Sequence, residues 1–132
     1  MKNTYQLKVA FGDTDAAGIV FYPNFYKWMD QATHDFIGKA IMPFSKLMEE
    51  EKITAPLLEA FCQFKSPLRF EDQVEVHSEV SEIKNKVFRI EHTFKKNSET
   101  VASGYEVRAW VSMAEGFKAV PIPDEVRDKI KS

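Results

Sequence analysis

The hydrophobic period of this chain changes once, and that change constrains the fold more than any other feature. From Asn24 to about Ile37, Phe25, Trp28, Met29, Ala32 and Phe36 recur at helical spacing, with Lys27, Asp30 and His34 on the opposite side. From Gln73 onward the period is two. Val74, Val76 and Val80 share a face of Gln73 to Lys84; Phe88, Ile90 and Phe94 share one of Val87 to Lys96; and Val101, Tyr105, Val107, Ala109, Val111 and Met113 share one of Val101 to Met113. The links Lys84-Asn85-Lys86 and Asn97-Ser98-Glu99 are of hairpin length, so these strands are expected to be antiparallel neighbours. Tyr5, Leu7, Val9 and Phe11 alternate in an earlier strand over Thr4 to Phe11, and Thr54 to Phe64 is again apolar and extended. Pro23 suits the first turn of the long helix and Gly38 its end, Pro43 can open a short helix from Ser45 to Glu51, and Pro123 to Ile130 reads as a short terminal helix. One dominant amphipathic helix needs a sheet to cover its stripe. The order therefore predicts an α+β fold with a five-stranded antiparallel sheet around one long central helix, not a doubly wound fold of alternating βα units.

Length and charge narrow the function. With 132 residues the chain is expected to form one domain over 1–132, so any site lies within one fold or between copies of it. A formal charge of -2 disfavours a nucleic-acid binder, which needs a basic excess to neutralise phosphates. Cys62 is the single cysteine, so neither an intrachain disulfide nor a cysteine-rich metal site is expected, and it reads as a small buried apolar residue. His34, His77 and His92 are scattered without ligand spacing, which argues for no metal. No segment reads as a signal peptide or membrane helix, so a cytoplasmic protein with no membrane partner is the expectation. The compositional oddity is eleven phenylalanines, which suggest an aromatic core, interface or pocket; Phe11, Trp28, Phe61 and Phe64 either line such a pocket or pack.

The chemistry concentrates in Phe11-Gly12-Asp13-Thr14-Asp15-Ala16-Ala17-Gly18-Ile19-Val20-Phe21-Tyr22-Pro23-Asn24. Two aspartates just before a helix can cap amides, bind a cation or activate water, and the spacing does not choose among these. A calcium loop fails, because its fifth and twelfth positions fall on Ala17 and Asn24. An aspartate-based phosphotransferase needs a parallel α/β sheet, which the meandering second half does not offer.

Phe11, Asp13, Asp15, Gly18, Val20, Tyr22, Asn24 and Phe25 together resemble the signature of the 4-hydroxybenzoyl-CoA thioesterase family, among the hotdog-fold acyl-CoA thioesterases, and the likeness extends through Trp28, Pro67 and Asp72. The resemblance implies a hotdog fold and hydrolysis of a CoA thioester without cofactors, with an aromatic acyl group as one candidate substrate. It implies a homodimer or homotetramer with sites at the dimer interface. It makes Asp15 the catalytic carboxylate, as nucleophile or general base, with Tyr22 beside it, amides around Tyr22 to Asn24 as oxyanion donors, and Asp13, Gly18 and Asn24 as supports. Lys84, Lys86 and Lys118 match positions that contact coenzyme A phosphates; where the family uses arginines, lysines imply point-charge attraction instead of bidentate bonds. A thioesterase acting on acyl carrier protein, and a non-catalytic acyl-binding protein of the same fold, are the alternatives.

Overall fold

A computed structural model describes the chain from Met1 to Ser132. Strand β1 (Lys2–Lys8) stops short of Phe11, where alternation alone would carry it. The reason is local: the Asp13 carboxylate accepts the Ala10 amide at 2.8 Å, the chain turns into a single 3-10 turn over Phe11–Asp13, and the Phe11 ring is left exposed. Helix α1 (Pro23–Ala40) begins with proline in its first turn, where the missing N–H costs nothing. Gly38 does not end it. Buried Ile37 and partly buried Ala40 and Ile41 pack into the core, and that packing outweighs the cost of about 1 kcal/mol for an internal glycine.

Helix α2 (Phe44–Glu50) follows Pro43. The extended segment expected from Thr54 to Phe64 divides into β2 (Ile53–Thr54) and β3 (Leu57–Phe64), with the break at Pro56, which has no N–H for a ladder. The strands β4 (Gln73–Ile83), β5 (Val87–Lys96) and β6 (Glu99–Ala109) meander as the two short links require. The last expected strand also breaks: at Trp110, whose amide donates to the Lys86 carbonyl at 2.8 Å, the chain leaves the main sheet for β7 (Val111–Ser112). Strand β8 (Lys118–Ala119) and helix α3 (Asp124–Ile130) complete the chain. The main sheet runs β1-β4-β5-β6-β3, antiparallel throughout, with a small sheet β2-β7-β8 beside it. With α1 laid across its concave face, this is the hotdog arrangement. No helix is long and apolar enough to cross a membrane.

The stripe of α1 packs Phe25, Trp28, Met29 and Ala32 on Val74, Val76, Phe94 and Ala102, and Phe36 and Ile37 on Val80, Phe88, Ile90 and Trp110. Val101 and Ala109 are buried as expected, but between them the face of β6 reverses the expected pattern. Gly104, Glu106 and Arg108 join Ala102 against the helix, while Tyr105 and Val107 lie on the outer, half-exposed face. Gly104 is crowded from two sides: a Cβ there would lie 2.2 Å from the Phe61 carbonyl oxygen of the paired strand β3 and 2.9 Å from Met29 Sδ of α1. Two turns on, the space holds a polar network. Arg108 pairs with Glu106 at 3.0 Å, with Asp30 of α1 at 2.7 Å and with the Ala55 carbonyl at 2.8 Å, while Thr33 donates to Glu106. His92 stands within hydrogen-bond distance of Thr33, 3.0 Å, and of Ser78, 2.7 Å. No buried side-chain polar atom lacks a partner, as buried charge demands.

Candidate active site

The loop from Asp13 to Tyr22 is held by its own backbone. Thr14 bridges Val20, the Asp15 amide donates to the Ile19 carbonyl at 2.9 Å, and the Phe21 amide donates to the Asp13 carbonyl at 2.9 Å. Gly18 closes the turn at φ 79°, the left-handed region, and its amide donates to the Asp15 carbonyl at 2.9 Å. Asn24, in the first turn of α1, donates its side-chain amide to the Asp13 carbonyl at 2.9 Å. Through Asp13 the loop is thus fastened to the helix entrance.

The two aspartates differ. Asp13 spends one carboxylate oxygen on the Ala10 amide inside the 3-10 turn. Asp15 is exposed, and its Oδ1 accepts the Ala17 amide at 2.8 Å, while its Oδ2 has no partner and no cation pairs with the carboxylate. Of the amides expected as oxyanion donors, Pro23 has none and that of Asn24 is already committed to the Phe21 carbonyl at 3.0 Å; the next amide, of Phe25, donates to the Tyr22 carbonyl at 3.1 Å. Only the Tyr22 amide remains without a backbone acceptor, at the positive end of α1.

Beside this loop opens a cleft of about 450 Å³, lined by Ile19, Val20, Tyr22 and Phe25 on one side and by the segment Phe64 to Leu68 on the other. The Val20 amide donates to the Leu68 carbonyl at 2.8 Å and ties the two walls together. Phe64 packs edge-on against Phe25 at 5.1 Å and Tyr22 at 6.2 Å between ring centroids. Of the rings weighed as pocket residues, Phe64 lines the cleft, Trp28 is buried in the core against Phe25, Phe11 pairs with Phe70 at the surface, and Phe61 stacks near Tyr105 on the outer face of the sheet. Lys65 and Ser66 also line the cleft, and nothing in their local sequence signals it.

The lysines lie elsewhere. Phe64, Ala102, Phe94 and Val76 align across one end of the main sheet; Leu57, Arg108, Phe88 and Ile83 align across the other, where the turn carrying Lys84 and Lys86 begins. Within one chain these ends are roughly 20 Å apart at about 3.3 Å per residue. Lys84 also reaches Glu82 at 3.5 Å, while Lys118 sits in β8 on the same side of the molecule as the turn, whose Asn85 carbonyl accepts the Ile122 amide at 2.8 Å. Burial pushes the Cys62 thiol up to about 11, which leaves it protonated and inert at neutral pH.

A five-stranded hotdog sheet with an aspartate loop at the helix entrance defines a class of acyl-thioester enzymes. The chain matches the thioesterase-like superfamily over residues 9–130 and belongs to it. It is 48% identical to a gentisyl-coenzyme A thioesterase of solved structure, with a TM-score of 0.87 over 97% of this chain and 98% of that one. It is 24% identical to the 4-hydroxybenzoyl-CoA thioesterase of Pseudomonas sp. strain CBS-3 over 91% of each chain, and 26% identical to the 1,4-dihydroxy-2-naphthoyl-CoA hydrolase of Thermosynechococcus vestitus over 97% of this chain and 88% of that one.

Proposed function

We propose that this chain is an acyl-CoA thioesterase for an aromatic acyl group, with Asp15 as the carboxylate that acts on the thioester carbonyl. The carrying observation is the free Oδ2 of Asp15, on a loop whose Ile19 accepts the Asp15 amide and lines an apolar, aromatic-walled cleft. The names of the relatives, each an enzyme of a hydroxylated aryl-CoA, agree with rings as cleft walls. The carboxylate attacks the carbonyl carbon, or takes a proton from the water that does. The carbonyl oxygen gains negative charge and is stabilised by the Tyr22 amide and the dipole of α1, while the Tyr22 ring helps wall the acyl group. Collapse breaks the C–S bond. Water supplies the hydroxyl of the free acid, and its proton leaves with the coenzyme A thiol. Asp13, Gly18 and Asn24 hold the loop in place.

The working unit in this reading is a dimer. Strand β3 is an edge whose Leu57, Leu58, Phe61 and Phe64 are exposed, an arrangement that invites pairing with another strand. Two β3 edges related by a twofold axis must run antiparallel, so the Leu57 end of one chain lies beside the Phe64 end of its partner. That places the Lys84, Lys86 and Lys118 side of one subunit towards the cleft of the other, where the coenzyme's phosphates emerge. The test is hydrolysis of a panel of aryl, short-chain and long-chain CoA esters, read by release of free thiol. Turnover highest on aryl esters is expected; no turnover of any CoA ester overturns the reading.

A further inference from the structure

Near its start, strand β3 carries a bulge that the chemistry above does not use. Leu57 pairs with Arg108 of β6 and Glu59 with Val107, so Leu58 is an extra residue with no partner of its own. The bulge resets the alternation. Leu57 shares the helix side of the sheet with buried Arg108 through that pairing, and Leu58 shares it with Ala60, buried Cys62 and Phe64 through the period of two. Two successive leucines therefore turn to the side that holds α1, where an unbroken strand would turn only one. Their own chain does not bury them: Leu57 is 46% exposed and Leu58 60%. Their backbone is nevertheless held firmly. Arg108, itself fixed by Glu106 and Asp30, donates to the Ala55 carbonyl at 2.8 Å, and the Ala109 amide donates to the Pro56 carbonyl at 3.1 Å.

We infer that Leu57 and Leu58 of each subunit wall the partner's acyl cleft and limit the size of acyl group it admits. The inference rests on the thioesterase reading and its β3 dimer. A twofold axis that sets two β3 edges antiparallel stands perpendicular to the sheet, so both α1 helices and both leucine pairs lie on one side of it. Pairing the eight residues of β3 end to end brings Leu57 of one chain opposite Phe64 of the other. Facing residues of antiparallel strands hold their side chains roughly 5 Å apart. Phe64 is the cleft wall that stands on this edge, on the same face as the leucines, and it is 45% exposed. The partner's bulge thus arrives at the side of the cleft where Phe64 ends its own chain's wall, and it brings two aliphatic side chains to a lining that is already mostly apolar. Re-aiming a side chain at a site is what a bulge does that a regular strand cannot.

The experiment measures kcat/KM for benzoyl-CoA and for the larger 2-naphthoyl-CoA and follows the ratio of the two. In Leu57→Ala/Leu58→Ala the naphthoyl ester is expected to gain on benzoyl-CoA by roughly 10-fold, the scale on which apolar pockets discriminate by size, and in Leu58→Phe to lose severalfold. Leu58→Phe keeps the edge apolar, so it carries the test should the alanines loosen the dimer. To identify the subunit, the unaltered chain is refolded with about a tenfold excess of Asp15→Asn/Leu57→Ala/Leu58→Ala, so that nearly every unaltered chain sits in a mixed dimer. Its cleft then keeps Asp15 but faces the partner's alanines, and the ratio should move to that of the double-alanine enzyme. With Asp15→Asn/Leu58→Phe in excess it should move the other way. A ratio that stays at the unaltered value in both mixtures, or that neither leucine variant moves, overturns this wall and leaves the thioesterase reading standing. If the unaltered enzyme hydrolyses neither ester, both fall.

Discussion

Asp13 and Asp15 stand two positions apart, yet the turn between them gives their carboxylates different work. Asp13 accepts an amide that would otherwise end β1 unpaired; Asp13→Asn keeps an oxygen for it but loses the charge, so it is expected to lower stability by about 1 kcal/mol at most, with turnover reduced far less. Asp15→Asn keeps an oxygen for the Ala17 amide and loses the negative charge that the proposed mechanism uses. Its expected effect is a fall in kcat of roughly 10²-fold or more with an unchanged urea midpoint. Measuring both variants separates the roles, and a near-normal Asp15→Asn beside an inactive Asp13→Asn would reverse them. The pair was legible in the sequence as a pair. Which member was engaged was not, because that depends on whether the Ala10 amide continues the strand or turns back, a choice of a few backbone angles. Lys65 and Ser66 were illegible for another reason: their cleft exists only once a segment far along the chain folds against the aspartate loop.

At the scale of elements, periodicity located α1 and the meander of β4 to β6, since each buries a continuous apolar stripe. It misjudged β6. Alternation assigned Tyr105 and Val107 to the core, but α1 crosses so near that the inner face takes Gly104, and the space further along is filled by Glu106 and Arg108. A paired charge inside looks, in sequence, like a charge outside. Gly104→Ala is expected to destabilise the fold by at least ~2 kcal/mol, because the added methyl meets backbone that cannot yield, and thermal unfolding measures it. For Glu106, burial alone would raise the pKa, but the nearby His92 ring, 3.6 Å away, hydrogen bonds from Arg108 and Thr33, and the charge of Arg108 outweigh it and lower the pKa from 4.5 to about 2. A carboxyl depressed in the folded state stabilises above its unfolded value, so this contribution, about 3 kcal/mol, is full at neutral pH, declines below about pH 4.5 and is gone near pH 2. Glu106→Gln leaves Arg108 short of its principal partner. Its expected cost is about 3–5 kcal/mol at pH 7, with roughly 2 kcal/mol of the difference from the unaltered protein gone by pH 3, as unfolding titrations at pH 7 and pH 3 will show.

On the scale of the whole molecule, the proposed carboxylate and the proposed phosphate-binding lysines lie at opposite ends of the sheet, roughly 20 Å apart within one subunit. In the proposed reading a dimer through β3 lets the lysines of one chain serve the cleft of the other. Leu58→Lys puts charges on that exposed edge without touching the core, and light scattering should find it monomeric at micromolar concentration, with hydrolysis lost in parallel. The sharper consequence is complementation between subunits. Alone, Asp15→Asn is expected to be nearly inactive, and Lys84→Ala/Lys86→Ala/Lys118→Ala to show a raised KM for CoA esters whose dependence on salt is weakened. Mixed by unfolding and refolding together, they form dimers in which one cleft combines an intact Asp15 from one chain with intact lysines from the other. If the lysines act across the interface, low-KM activity returns to about a quarter of the sites, as random pairing of a twofold dimer requires. If they act within their own chain, every cleft in the mixed dimer lacks either the carboxylate or the lysines, and no low-KM activity appears. The ratio of low-KM turnover before and after mixing thus reads directly which subunit each half of the site comes from.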